Sequence, residues 1–236
     1  MASNSWLMES ACGLALLAAV SASAAAEVAK PSYAAMAPLA QYKMASAAEE
    51  IALARSAAPP SVSGKADVLV LGDQGYETVV KGDNGFACLV ERSWGAGFDD
   101  EEFWNPKTRG PICFNPVAVR TVVPIYLERT RWVLAGVSRQ DMIDRSKAEL
   151  AAGTLVRPGP GAMCYMMSKQ GRLNDADGHW HPHLMFFVAD TGAASWGANL
   201  KGSPVFAAPG DPGVTIFMVP VTHWSDGTPA MMMKMH

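Results

Sequence analysis

The pattern of apolar and polar positions divides the chain into a helical segment, a strand-rich segment, a second helical segment and a strand-rich C-terminal third. Residues 38–56 (PLAQYKMASAAEEIALARS) are dense in strong helix formers, with Pro38 at the start and Pro59-Pro60 past the end; they predict a helix. Residues 66–71 (ADVLVL), 76–81 and 85–91 have strand composition. Asp83-Asn84-Gly85 carries hairpin turn chemistry, because Asn-Gly accepts the positive φ of tight turns, so these strands predict an antiparallel meander. Residues 93–111 read as a loop.

Asn115-Pro116 pairs a capping side chain with proline at the first helical position, so a helix starts there, and Pro124 breaks or kinks it. Ser138 and Asp141 have capping-box spacing, which predicts a helix over 139–152 ending before Gly153. After the break Arg157-Pro158-Gly159-Pro160-Gly161, strands are predicted at 162–168, 179–189, 204–207 and 214–221. The order α–βββ–αα–ββββ predicts an α+β fold with one mainly antiparallel sheet. A doubly wound parallel fold needs helices between the last four strands, and none is predicted.

The N-terminus narrows the compartment. The apolar run Ala11 to Val20 is too short to span a bilayer, and Ala24-Ala25-Ala26 before Glu27 resembles a cleavage site. Residues 1–26 are therefore expected to be a signal peptide, although the first ten residues carry Glu9 and no Lys or Arg. The remaining 27–236 are expected to form a single domain with a mobile C-terminal tail over 229–236, in a periplasmic or secreted protein. The mature chain has no later apolar stretch long enough for a transmembrane segment. Removing Glu9 takes the net charge of −3 to about −2, and no Lys/Arg stripe appears, so nucleic acid is not an expected partner. Oligomeric state is not legible.

Three cysteines follow the leader, Cys88, Cys113 and Cys164. In an oxidising compartment they amount to one disulfide and one thiol. Cys88 with Cys113 is the pairing expected, since both lie beside bulky apolar residues and the loop between them closes easily. Spacing leaves exchange with Cys164 open.

Chemistry concentrates at Gly178-His179-Trp180-His181-Pro182-His183. All five histidines lie at or after position 179. On a strand His179, His181 and His183 share a face, with neighbours about 6.6–6.8 Å apart and the outer pair about 13 Å apart. Two can share an ion; three need a bend, which Pro182 favours. The reading is a transition-metal site built on His181 with His179 or His183, and His223 as the remote ligand. Asp175 or Asp177 would supply an oxygen or an orienting carboxylate. Zinc suits three histidines and an open water position. Copper suits imidazole plus thioether, and methionine abounds, including Met231-Met232-Met233 and Met235. For the strand methionines Met163, Met166, Met167, Met185 and Met218, core filling is the plainer role. Asn174 to Gly178 fails as an EF-hand, because Leu173 and Leu184 fall where acidic ligands belong. The acidic run Asp99 to Glu102 lacks ligand spacing and reads as a solvated loop.

Two other readings need no metal. One is acid–base catalysis by His181 or His223 with Asp175, Asp177 or Asp226 as the orienting group. The other is a non-enzymatic binding domain for a small molecule, whose histidines form a polar pocket among Trp180, Trp224 and Tyr165, with Trp196 as a further aromatic. Gly161 to Gln170 (GAMCYMMSKQ), followed by Gly178 to Phe187 (GHWHPHLMFF), resembles a family of uncharacterised exported bacterial proteins, with Asn84-Gly85-Phe86 and Pro111 to Pro116 extending the likeness. The resemblance implies secretion and assigns no activity.

Overall fold

The computed structural model describes residues 33–230; the expected leader and residues 231–236 of the Met-rich end lie outside them. The elements are α1 (Ala47–Arg55), α2 (Pro60–Ser63), β1 (Asp67–Leu71), β2 (Tyr76–Val80), β3 (Ala87–Glu91) and β4 (Gly110–Phe114). They continue with α3 (Pro116–Thr121), α4 (Val123–Leu134), α5 (Arg139–Ala152), β5 (Met163–Met166), β6 (His183–Ala189), β7 (Phe206–Pro209) and β8 (Val214–Pro220). The eight strands form one sheet in the order β2-β1-β3-β4-β5-β6-β8-β7. Every pairing is antiparallel except β1 with β3, so the fold is α+β with a mixed, mainly antiparallel sheet.

That parallel pair corrects the expected meander. β2 and β3 flank β1 and do not touch, so Asp83-Asn84-Gly85 is not a hairpin turn. It carries the chain across the end of β1. Asp83 N–H donates to the Lys65 carbonyl, Asn84 Nδ2 to the Val62 carbonyl, and Asn84 Oδ1 accepts from Phe86 N–H. Gly82 is forced by this crossing, since a Cβ there would lie 2.0 Å from the Lys65 carbonyl oxygen. These residues do turn the chain, but toward the far side of β1.

The helix expected over 38–56 is shorter. Leu39–Gln41 is a single 3-10 turn, and Tyr42 is wholly buried with its hydroxyl donating to the Trp104 carbonyl at 2.8 Å. The chain therefore leaves the helical path, and α1 starts afresh where Ser46 Oγ accepts from Glu49 N–H. β4, whose first two residues fall in the span read as a loop and whose other three carry no expected element, is a central strand buried at all five positions. The helices after it match expectation closely. Asn115 caps α3, Pro124 lies in the first turn of α4, Ser138 caps α5, and Gly153 ends it at φ 74°.

Alternation of side chains along the strands separates two faces. On one, Cys88, Val90, Cys113 and Val68 pack against Leu53, Ala54 and Ala57 of and after α1. Cys88 and Cys113 are directly opposed on β3 and β4 and form the disulfide expected; Cys164 is free and buried. On the other face, Leu89, Ile112, Phe114, Cys164, Met185 and Phe187 meet Ala118, Val122 and Val123 of the α3–α4 pair. This second face is incompletely filled.

Candidate functional site

Between α4 and the β5–β6–β8–β7 half of the sheet lies a cavity of about 630 Å³. Small-molecule sites span roughly 300–1,000 Å³. Its floor follows from register. Cys164 opposes Met185, Met185 opposes Met218, and Met218 opposes Phe206, while the next row sets Met166 beside His183 and His183 beside Pro220. Met166, Met185, Met218 and His183 all line the space. Methionine side chains are unbranched and polarizable, so such a floor adapts to the shape of what lies on it.

The opposite end is polar. Glu91, the last residue of β3, shares the face of Ala87 and Leu89, and its carboxylate lines the cavity. Two glycines make room for it. A Cβ on Gly95 would lie 1.8 Å from Glu91 Oε1, and one on Gly110 would lie 3.1 Å from Glu91 Cβ and 3.4 Å from Trp180 Cη2. Among the described residues the Glu91 carboxyl has no hydrogen-bond or ion-pair partner. Burial pushes its pKa from 4.5 to about 7, with the Arg129 guanidinium acting in the opposite direction.

Arg129 does not neutralise it. From α4, that guanidinium donates to the carbonyls of Trp94, Gly95 and Ala96 and pairs with Asp211, tying the loop after β3 to the turn before β8. Tyr126, one turn earlier on α4, packs edge-on against Phe114 at 5.3 Å and lines the cavity. Burial pushes its phenol well above the ordinary value, with the Glu91 charge adding to that. Among the described residues its hydroxyl has no hydrogen-bond partner. Tyr76, by contrast, donates to the Val90 carbonyl at 2.6 Å. Trp180 is buried and lines the wall; its indole N–H has no partner among the described residues.

The histidine run is divided by this architecture. β6 starts at His183, not at His179, so 179–182 precede the strand and the even spacing along one face does not hold. His183 and His181 line the cavity, and His183 Nδ1 lies 2.8 Å from the His181 carbonyl oxygen, to which it donates. Burial pushes the His183 imidazole below its ordinary value, against that hydrogen bond and with help from His181. His179 is exposed; its ring and that of His181 each lie 6.3 Å from Trp224. His223 follows β8, which does pair with β6, but it is exposed and its Nδ1 meets the Thr222 hydroxyl.

Asp175 is engaged by Tyr33, Lys107 and Arg172, which hold its carboxyl far below the usual range; Asp177 accepts from Asn174. Asp226, a candidate orienting group, pairs with Lys169. Among the described residues no three His, Cys, Asp or Glu side chains gather around a point that can hold an ion. Of the expected pocket aromatics Trp180 is in the wall, whereas Tyr165 packs with Phe86 on the α1 face and Trp224 lies outside the lining. Trp196 stacks on Phe217 at 4.2 Å, away from the cavity. Pro229 bridges His223, and Ala230 N–H donates to the Thr222 carbonyl, so the segment expected as a tail begins anchored.

Sequence reading passes over Glu91, Tyr126 and Arg129. A signal for Glu91 is present, because in ACLVE the acid falls on the same face as Ala87 and Leu89. A carboxylate on the apolar face of a strand needs a reason. No family model, curated protein or solved structure matches the chain.

Proposed function

We propose that this chain is a binding domain for an apolar small molecule, held between α4 and the C-terminal half of the sheet. The observation that carries this reading is the cavity, walled mainly by apolar side chains with a few polar groups among them. An apolar wall offers water few of the partners it needs, which favours an apolar occupant. His181 and His183 enter this reading as wall residues. The leader-like residues 1–26 make it an exported binder.

N-phenyl-1-naphthylamine, a neutral dye that fluoresces in apolar surroundings, tests the reading on the full mature chain. Saturable enhancement at one equivalent per chain is expected. A linear, unsaturable signal equal to that of a protein without a cavity would overturn it.

A further inference from the structure

The cavity has one group that an apolar occupant leaves unanswered, the Glu91 carboxyl. We propose that the ligand is an apolar amine, and that its ammonium group docks on Glu91 while its hydrocarbon body lies over the methionine floor. This rests on the binding-domain reading above and specifies its ligand.

Charge bookkeeping around the site favours a cation. The two guanidinium groups in the lining are already paired, Arg129 with Asp211 and Arg92 with Glu50. Glu102, also in the lining, accepts among the described residues from neutral donors, the Asn105 side chain and the Asp175 backbone. Glu91 is thus the acid at the polar end without a cation or donor among the described residues. A lone carboxylate in low dielectric is unfavourable, and an ammonium ion from the ligand removes that penalty by forming a charge-assisted hydrogen bond. A hydroxyl would leave the charge in place, and a second carboxylate would add to it.

The surroundings suit the same partner. Trp180 and Glu91 both close on the position that a Gly110 Cβ would take, and Tyr126 and Tyr76 both feel the Glu91 charge. Aromatic rings grouped beside an acid attract ammonium groups through their faces. Tyr126 adds a hydroxyl with a free lone pair, which accepts a second ammonium hydrogen. Gly95 and Gly110 are part of the device, since any side chain at Gly95 would occupy the position of the carboxylate.

Calorimetric titration of the full mature chain at pH 8 with octylamine, octanol and octanoate separates the possibilities, because the three share a tail and differ in the head. Octylamine is expected to bind at least tenfold more tightly than either of the others. Glu91→Gln should bring octylamine down to the affinity of octanol, with circular dichroism reporting the fold. Octanol or octanoate binding as tightly as octylamine would overturn the amine assignment and leave the apolar cavity standing. No binding of any of the three, together with no saturable dye binding, would sink both. If Glu91→Gln fails to fold, carbon-13 chemical shifts of the Glu91 carboxyl in the unsubstituted chain at about pH 5.5, where burial keeps the ligand-free carboxyl protonated, decide: octylamine must move it to the ionised position, and an unmoved shift contradicts the proposal.

Discussion

Glu91 and Arg92 are neighbours in the chain, both withdrawn from solvent, and opposite in how their charges are met. Arg92 is 1 % exposed; it donates to the carbonyls of Tyr42 and Val90 and pairs with Glu50 of α1 at 2.8 Å. Glu50 also accepts from Leu71 N–H. Both members of the pair thus make hydrogen bonds beyond the ion pair itself, as a buried pair requires. Glu91 faces the cavity with nothing comparable among the described residues. One position along the strand separates a finished structural device from a group left open. The same division holds for the sheet as a whole: alanines and a disulfide close the α1 face, while methionines and a void mark the α4 face.

That contrast can be broken most forcefully at Glu50. Glu50→Ala strands the Arg92 guanidinium and should lower unfolding free energy by about 3–5 kcal/mol in urea melts, because an unpaired buried charge remains. A loss under about 1 kcal/mol would mean the pair is dispensable. Glu91→Gln should act in the opposite sense in ligand-free protein. With its pKa raised from 4.5 to about 7, Glu91 is protonated in both states below about pH 4.5 and has no effect there. Between pH 4.5 and 7 the unfolded chain releases the proton and the folded chain keeps it, so stability falls as pH rises.

The deficit is complete above about pH 7 and amounts to about 3 kcal/mol, at 1.36 kcal/mol per pKa unit. Glu91→Gln should therefore match the unsubstituted chain near pH 4.5 and exceed its stability by about that amount at pH 8. Equal stabilities at both pH values would show that the carboxyl is solvated or paired. The smallest effect is expected at His179, exposed and touching only Trp224 among aromatic neighbours. His179→Ala should change stability by under about 0.5 kcal/mol and leave dye affinity as it was.

How far the fold is legible in advance depends on where each element's information lies. α5 is legible to the residue, because Ser138, Asp141 and Gly153 are local signals that tertiary packing does not override. β4 is not, because a strand buried on both faces has no alternation and this one opens with Gly110-Pro111, a loop signature. The parallel β1–β3 pairing is hidden for a different reason: a turn sequence states that the chain reverses, and which strand it returns to is decided by distant packing. At the site, histidine spacing draws attention to 179–183, yet a regular strand forms only from His183, where pairing with Met166 and Pro220 begins. Of the residues that the spacing singles out, Trp180, His181 and His183 line the cavity, the two histidines without a third ligating side chain among the described residues. Glu91, Tyr126 and Arg129 come from β3 and α4, far away in sequence, and only the folded sheet brings them to one end of a cavity.

If the cavity itself takes up an apolar molecule, filling it must abolish that uptake. Ala208 lines the cavity from the edge strand β7, opposite Ile216. Ala208→Trp should extend an indole into the space and weaken N-phenyl-1-naphthylamine binding more than tenfold, with an unchanged circular dichroism spectrum. Saturable dye binding of undiminished affinity in a folded Ala208→Trp variant would contradict the account.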